Sequence, residues 1–249
     1  MLRQTFALTV LVFCLAAHAQ DYDREKRMEA EIVPALMVGD AVRLRVPGGR
    51  EFLGIYAKAD PAKGAIVLVH GRSVHPDHEL IGALRMKLHD AGYTTLAIQM
   101  PVLAAEKVEP ADFKPLMPEA AGRIAASAAW LEAKGEGPIF LLSHSLGSWM
   151  AGEYFAAHRN SQFRAWVSIG QSSPYDPAVA TGARPILDVY GDADLPAVLQ
   201  GAAARKAVVD RAAKPSRQVR VPGAVHMFTA KESELSAVVA GWLADLPSR

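Results

Sequence analysis

The feature that most constrains the fold of this chain is the alternation of short apolar runs and longer helix-compatible segments from residue 65 onward. The runs are rich in Val, Ile and Leu and have the length of buried strands, and they lie at 65–70, 93–98, 138–143, 164–169, 185–190 and 217–222. Helical candidates fill the intervals at 76–90, 118–134, 146–158, 196–213 and 231–245. This alternation predicts a mostly parallel sheet with helices on both faces, an α/β architecture.

The chain before residue 65 follows a different pattern. Residues 41–46 alternate apolar and charged side chains, and 51–57 are predicted to return antiparallel to them after the turn at 47–50. We expect this hairpin at one edge of the sheet. The charged stretch at 20–39 predicts a loose lead-in or a short helix. No repeat, low-complexity segment or second boundary interrupts the chain, so residues 20–249 are expected to form one domain.

The first residues have the three parts of a secretory signal peptide. A positive start at Arg3 precedes an apolar core at 6–16, which is too short to span a bilayer, and Ala-His-Ala at 17–19 forms a small-residue cleavage site. We therefore expect residues 1–19 to be a signal peptide that is removed before Gln20. The mature protein is then exported, periplasmic or secreted, with no integral membrane segment.

Cysteine content and charge exclude several classes of function. Cys14 is the single cysteine and lies within the predicted signal peptide. The mature chain would therefore have no disulfide, no cysteine nucleophile and no thiolate metal site. The chain has 27 basic and 26 acidic residues, and removal of Arg3 balances the two. Because the charge is balanced and no basic run occurs, we expect no nucleic-acid partner, and the charge gives no reason to expect a membrane-surface partner.

The apolar run that begins at 138 ends abruptly in Ser-His-Ser-Leu-Gly at 143–147, and a helix-compatible segment follows. This is the small-x-Ser-x-Gly form of a sharp strand-to-helix turn that raises one hydroxyl above a sheet edge, with Ser143 in place of the more usual Gly. Small residues are needed two positions to either side because the backbone packs closely there. Such a pentapeptide also arises by chance, so its surroundings decide. The candidate nucleophile is Ser145.

Two later apolar runs are followed by polar groups in a consistent order. Gly-Asp-Ala-Asp occupies 191–194, and Gly-Ala-Val-His occupies 223–226. The order Ser, Asp, His is that of α/β-hydrolases, and neither of chymotrypsin nor of subtilisin. The chain after residue 40 resembles the α/β-hydrolase superfamily over nearly all of its length. The segment His-Gly-Arg-Ser-Val-His-Pro-Asp at 70–77 is similar to that of an uncharacterised, exported bacterial branch of this superfamily.

A serine hydroxyl is a poor nucleophile near neutral pH and needs a base to accept its proton. His226 is the candidate base, because it lies between a strand and the last helix, where this fold delivers its histidine. The resemblance implies Asp194 as the orienting acid, since that acid commonly falls three residues after the Gly that ends its strand. Asp192 in the same turn and Asp176 in the preceding loop remain alternatives, and Asp188 lies inside the strand.

The resemblance also implies two backbone N–H donors for an oxyanion. One is that of Leu146, the residue after the nucleophile, and the other is that of Arg72 or, alternatively, of Ser73. The guanidinium of Arg72 could hold an anionic group of the substrate. The simpler expectation is a salt bridge to Asp77 or a solvated arginine.

Two further features bear on the site. His75, Asp77 and His78 could form a metal site, but a helix that starts at Pro76 with Asp77 in its first turn explains the segment without a metal.

Only 14 residues, 171–184, precede the strand predicted at 185, which leaves no room for a large lid. The loop after residue 99 is expected to cover the site instead.

These features predict a single-domain α/β-hydrolase fold without a large lid. The predicted reaction is hydrolysis of an ester or related acyl bond of a small molecule through an acyl-Ser145 intermediate, with no cofactor. A peptidase, amidase or lipase could use the same three residues. A non-catalytic envelope protein could use the same scaffold to bind a partner. Neither the substrate nor the oligomeric state follows from the sequence.

Overall fold

The apolar runs of the sequence form the strands of one sheet. The computed structural model describes residues 20–104, 107 and 109–247, and the predicted signal peptide at 1–19 lies outside the described residues. The strands are β1 Asp40–Arg45, β2 Glu51–Ala57, β3 Ala65–Val69, β4 Thr94–Ile98, β5 Ile139–His144, β6 Ala165–Ile169, β7 Ile186–Gly191 and β8 Arg217–Val221. Each predicted strand agrees with the structure to within one residue at either end.

Helices occupy the intervals between the parallel strands and the segment before β1. In the described part of the chain they are α1 Tyr22–Ile32, α2 Glu79–Asp90, α3 Pro110–Phe113, α4 Met117–Ala133, α5 Leu146–Ala157, α6 Pro196–Val209 and α7 Glu232–Ala244. Short 3-10 segments lie at Val33–Ala35, Lys114–Leu116 and Pro177–Thr181. The charged lead-in of the sequence is thus the helix α1.

The sheet order is β1-β2-β4-β3-β5-β6-β7-β8. β1 and β2 form the predicted antiparallel hairpin, β2 is antiparallel to β4, and the strands from β4 to β8 are parallel. Strand side chains alternate between two cores: Val67 and Leu141 pack with α4 and α5, whereas Ile66 and Leu142 pack with α2 and α7. The predicted mostly parallel α/β sheet with an antiparallel edge is confirmed. Between β6 and β7 lies only a loop with one 3-10 segment, so no large lid is inserted there.

The helix predicted over 76–90 begins three residues late, and this corrects two expectations. It starts at Glu79, so Asp77 precedes the helix and does not lie in its first turn. The reason is an ion pair across the start of the helix, because the buried Arg85 donates from Nε to Asp77 Oδ1 at 2.6 Å. The carboxylate of Asp77 therefore pairs with the guanidinium of Arg85.

The loop after β4 contains a helical segment that the sequence analysis did not predict. α3 begins with Pro110 at its first position, and a reciprocal capping box links Glu109 and Asp112. Glu109, Pro110 and Asp112 are typical of a helix N-terminus, but the segment is too short to show a periodic apolar pattern. Its last residue, Phe113, is buried and reaches the functional site described below.

A buried ion pair holds α6 against β7. The carboxylate of Asp188 and the guanidinium of Arg205 are fully buried, and Nε of Arg205 lies 3.1 Å from Oδ2 of Asp188. Tyr175 Oη donates to Oδ1 of the same carboxylate at 2.6 Å, and Gln218 Nε2 donates to Oδ2 at 2.7 Å. These bonds satisfy a charge that would be costly to bury alone. Because α6 starts just after residue 194, the pair also fixes the turn that carries Asp194.

Candidate active site

The turn between β5 and α5 has the backbone geometry that the sequence predicts. Ser145 has φ 57° and ψ −120°, a conformation that costs energy for a residue with a side chain, and α5 starts at the next residue. Gly147 allows α5 to approach β3, since a Cβ there would lie 2.8 Å from Val69 Cγ1 and would also overlap His70 O. The close packing explains the need for glycine at this position of the motif.

Ser143 occupies the first small position of the motif and uses its hydroxyl inside the fold. The side chain is fully buried, and Oγ accepts a hydrogen bond from Trp166 Nε1 at 2.8 Å. The same hydroxyl lies 3.3 Å from Val167 O as a donor. A glycine would leave the buried indole N–H of Trp166 without this acceptor, so serine in place of the usual Gly satisfies a neighbouring polar group.

The structure brings Ser145, His226 and Asp194 together from three different loops. Ser145 Oγ lies 2.9 Å from His226 Nε2, and His226 Nδ1 lies 2.6 Å from Asp194 Oδ1. With Nδ1–H donating to the carboxylate, the lone pair of Nε2 faces the serine hydroxyl. This tautomer is the one that a general base requires.

The carboxylate of Asp194 is held in its ionised form. Burial by itself would raise the pKa of Asp194, but the hydrogen bond and the charge of His226 lower it, and so do the N–H groups of Leu195 and Gly191. The pKa therefore lies below its ordinary value. Leu195 N–H donates to Oδ1 at 2.7 Å. An ionised Asp194 can both orient His226 and stabilise a positive charge on its ring.

The alternative acids have other partners. Asp192 Oδ1 accepts a hydrogen bond from Gly223 N at 2.6 Å and so braces the β7 turn against the loop before His226. Asp176 caps the 3-10 segment at Pro177–Thr181, where Oδ1 accepts from the N–H of Ala178 at 2.7 Å. Asp188 is occupied by the buried ion pair below the site.

His144 is a site residue that sequence reasoning missed. Its Nε2 lies 3.0 Å from the carbonyl oxygen of His226, and the two rings are 4.8 Å apart between centroids. Burial, followed by the positive charge of a protonated His226, lowers the pKa of His144 to about 4. The neutral ring therefore donates Nε2–H to that carbonyl and holds the loop that carries His226. Nothing in the sequence marks this role, because the contact joins residues from two strand ends.

The loop after β3 lies directly against the strained serine. A Cβ on Gly71 would lie 3.3 Å from Ser145 Cβ and 3.4 Å from His144 Nδ1, both tight contacts, so glycine permits the close approach. Arg72, the next residue, lines the same cavity as Ser145 and Leu146. The two backbone N–H groups predicted to face an oxyanion thus belong to residues that line the cavity with Ser145.

A cavity of about 410 Å³ opens beside Ser145 and His226. Its wall is largely apolar, and the contributing side chains include those of Val74, Leu80, Ile81, Phe113, Trp149, Leu195 and Met227. Its polar lining includes Arg72, His78, Glu79 and Ser172. Trp149 is partly buried, packs against the core and also lines the cavity. A mostly apolar cavity with a few polar groups fits a small molecule with an apolar portion.

The residues that the structure describes contain no group of three or more His, Cys, Asp or Glu side chains that could hold a metal ion. His75 and His78 pack edge to face with 5.3 Å between ring centroids, and Asp77 is engaged by Arg85. Among these same residues, no helix combines the length and the apolar character needed to cross a membrane.

Comparisons with known proteins identify one matching family model and several solved structures with a similar fold. A family model described as "Protein of unknown function (DUF3530)" matches residues 7–122, and no curated protein matches the chain. Est1E from Butyrivibrio proteoclasticus is similar in structure, with 14% identity, a TM-score of 0.65, and coverage of 82% of this chain and 98% of that one. A dienelactone hydrolase from Anabaena variabilis has 20% identity and a TM-score of 0.69, with 84% and 97% covered.

A third similar structure is XC6422 from Xanthomonas campestris, which is described as an α/β serine hydrolase without a lid. It has 18% identity and a TM-score of 0.62, with 86% of this chain and 98% of that one covered. At these identities the similarity establishes the fold alone.

Proposed function

We propose that this chain, which has the fold of the α/β-hydrolase superfamily, is an exported serine hydrolase that cleaves an ester or related acyl bond. The observation that carries the proposal is the pair of hydrogen bonds that joins Ser145 to His226 and His226 to Asp194. The names of the similar structures, which include esterases and a dienelactone hydrolase, support an ester as the bond type. Export rests on the signal-peptide pattern of residues 1–19.

The first half of the proposed reaction forms an acyl-enzyme. Ser145 Oγ attacks the carbonyl carbon while its proton passes to His226 Nε2, and Asp194 stabilises the resulting imidazolium. The carbonyl oxygen becomes an oxyanion that the N–H groups of Leu146 and Arg72 stabilise. When the tetrahedral intermediate collapses, His226 gives the proton to the departing alcohol, and the acyl group remains on Ser145.

The second half returns the enzyme to its starting state. Water takes the place of the alcohol and attacks the acyl carbon while His226 Nε2 accepts its proton. The same two N–H groups stabilise the second oxyanion. Collapse of this intermediate breaks the bond to Ser145 Oγ, His226 returns the proton to that oxygen, and the carboxylic acid leaves.

A fluorophosphonate probe tests the proposal because it reacts with a serine only when the hydroxyl is activated. We expect purified protein covering 20–249 to be labelled, and the Ser145→Ala variant to be unlabelled. Short-chain nitrophenyl esters, assayed in parallel, should be hydrolysed by the wild type alone. A folded wild-type protein that takes up no label would contradict the mechanism and favour a non-catalytic binding protein.

The surface beside the cavity supports an apolar acyl group as the part of the substrate that is recognised. Among the described residues, four large hydrophobic side chains are exposed, and three of them lie near the acid and base loops: Leu195, Leu199 and Val225. Leu195 lines the cavity, and Leu199 follows one helical turn later in α6. An acyl chain that leaves the cavity would cover these side chains and remove their apolar surface from water.

Leu195→Ser should therefore lower kcat/KM for a nitrophenyl octanoate by about tenfold. This corresponds to losing roughly half of the free energy gained by burying one leucine side chain. The acetate ester, whose acyl group offers a single methyl group for such a contact, should change by less than about twofold. Met37→Ser is the matched control, since Met37 is 90% exposed and does not line the cavity. An equal loss for both esters, or the same loss in the control, would contradict apolar recognition at this rim.

A further inference from the structure

The first turn of the described chain reaches the loop beside the nucleophile. We call residues 20–25 the N-terminal turn and residues 70–74 the oxyanion loop. Arg24 donates from Nη2 to Ser73 O at 3.1 Å and from Nη1 to Leu103 O at 2.8 Å. One guanidinium thus bridges the oxyanion loop and the segment that follows β4, both of which lie away from it in sequence.

The position of Arg24 is itself fixed by its neighbours. Asp21 is the N-cap of α1, and its Oδ1 accepts a hydrogen bond from Arg24 N at 2.8 Å. The backbone N–H of Asp21 donates to Val102 O at 2.8 Å. The start of α1 is therefore tied to the segment after β4 through its backbone as well as through the Arg24 side chain.

A second path leads from the N-terminal turn into the core. Glu25 is buried, accepts a hydrogen bond from Gln20 Nε2, and is paired with the buried Arg123, whose Nη2 lies 3.0 Å from Oε2. Arg123 Nη1 donates in turn to Gln99 O at 2.8 Å. Removing Glu25 from this cluster would leave the buried guanidinium with less of its counter-charge.

The same path continues from Gln99 to the oxyanion loop. Met100, the residue after Gln99, donates its backbone N–H to His70 Nε2 at 2.9 Å. Because Nε2 accepts this bond, the proton of His70 is on Nδ1, which donates to Gly71 O at 2.8 Å. Burial lowers the pKa of His70 to about 3, so the ring stays neutral at physiological pH and keeps this arrangement.

The carbonyl that His70 holds belongs to the peptide group that supplies the predicted oxyanion donor. The Gly71–Arg72 peptide is trans and planar, so its C=O and its N–H point in opposite directions. Holding Gly71 O on one side therefore sets the direction of the Arg72 N–H on the other. The next residue, Ser73, has φ 60°, a strained conformation that Arg24 holds from outside through Ser73 O.

We infer that the N-terminal turn is a positioning element for the oxyanion loop, with Arg24 as its most direct positioning residue. The expected effect on catalysis rests on the proposed function. The expected effect on the oxyanion loop rests on the hydrogen bonds alone. Arg24 acts through the backbone of the loop. Its loss should therefore misplace the Arg72 N–H and affect the stabilised oxyanion more than the binding of the substrate.

The test compares Arg24→Gln with Lys26→Gln, an exposed position of the same helix whose ammonium group lies 3.7 Å from the carboxylate of Asp23. We expect Arg24→Gln to lower kcat for a nitrophenyl ester by roughly 10- to 100-fold with KM changed less than about threefold, since loss of one oxyanion donor costs about 10²- to 10³-fold. Lys26→Gln should behave like the wild type. Arg24→Lys, which can reach one of the two carbonyls, should fall between them.

Hydrogen–deuterium exchange supplies a readout that does not depend on activity. In Arg24→Gln, amides of the oxyanion loop should exchange faster, while those of the central strand β6 should be unchanged. If kcat and loop exchange in Arg24→Gln both match those of Lys26→Gln, the inference is overturned. It is also overturned if exchange rises equally in β6, because the loss would then be one of general stability.

The two proposals fail in different ways. A wild type that takes up no fluorophosphonate removes the proposed function, and the exchange data then decide the positioning of the loop alone. A labelled wild type with no difference between the Arg24 and Lys26 variants removes only the inference. A graded loss from wild type through Arg24→Lys to Arg24→Gln supports both.

Discussion

Asp194→Asn is expected to lower kcat for ester hydrolysis by about 10³- to 10⁴-fold, whereas Asp192→Asn should stay within about threefold of the wild type. The asparagine amide at 194 can donate to His226 Nδ1, which would shift the ring proton to Nε2. A protonated Nε2 has no lone pair for the hydroxyl of Ser145, so the general base is lost although the shape of the site is kept.

The Asp192 variant is a matched control because it makes the same chemical change two residues away. Asp192 Oδ1 accepts from Gly223 N, and the amide oxygen of asparagine can accept the same bond. Rates should be measured with fluorophosphonate-titrated enzyme, and thermal unfolding should confirm that both variants fold. The reverse ranking would assign the acid to Asp192, and near-wild-type rates in both variants would shift the assignment to Asp176.

The folded state is expected to lose stability steeply as the pH falls below about 6. Burial lowers the pKa of His70 to about 3 and that of His144 to about 4, from ordinary values of 6.5. The unfolded chain therefore binds two protons near pH 6.5 that the folded chain takes up only near pH 3 to 4. The contribution of the neutral rings to the free energy of unfolding is fully present above pH 6.5. It is lost as the pH falls toward the pKa values of the rings in the folded state.

The expected loss is large. Each histidine costs about 1.4 kcal/mol of unfolding free energy per pH unit below 6.5, so the two together cost about 5 kcal/mol by pH 4.5. That is comparable to the whole stability of many domains. Asp194 acts in the same direction only at lower pH, because its pKa is lowered. Glu25 acts in the opposite direction, because burial raises its pKa.

Urea unfolding at pH 7.5 and pH 5.0 measures this dependence. His144→Gln, whose neutral amide can still donate to the carbonyl of His226, should lose about 2 kcal/mol less between the two pH values than the wild type. Met37→Gln is the control, since Met37 is 90% exposed and the change removes no titratable group, so the pH dependence should be unchanged. If the His144 variant loses as much stability as the wild type, the buried histidine does not cause the acid sensitivity.

The strands were predictable from the sequence because a strand buried on both faces needs a short, continuous apolar run. The runs at 65–70 and 138–143 show this directly, since they form the neighbouring parallel strands β3 and β5. The Ser145 turn was predictable for a related reason, since close backbone packing requires glycine at position 147.

What the sequence did not predict depends on contacts between distant segments. The late start of α2 follows from the pairing of Arg85 with Asp77, and the role of His144 follows from its contact with the backbone of His226. Local sequence patterns indicate periodicity and turns, but they do not show which distant side chains come into contact. The start signal of α3 at Pro110 was present but too short to stand out from a loop.

The cavity beside Ser145 has consequences for how a protein of this kind can diverge. Its reactive groups are carried by the loops that follow β5, β7 and β8, whereas much of its wall comes from other segments, such as Phe113 at the end of α3 and Ile81 in the first turn of α2. Amino-acid substitutions in those wall segments can reshape the space for a substrate without moving Asp194 or His226. Selection for a new substrate would therefore act first on the wall, and the reacting atoms could be inherited unchanged.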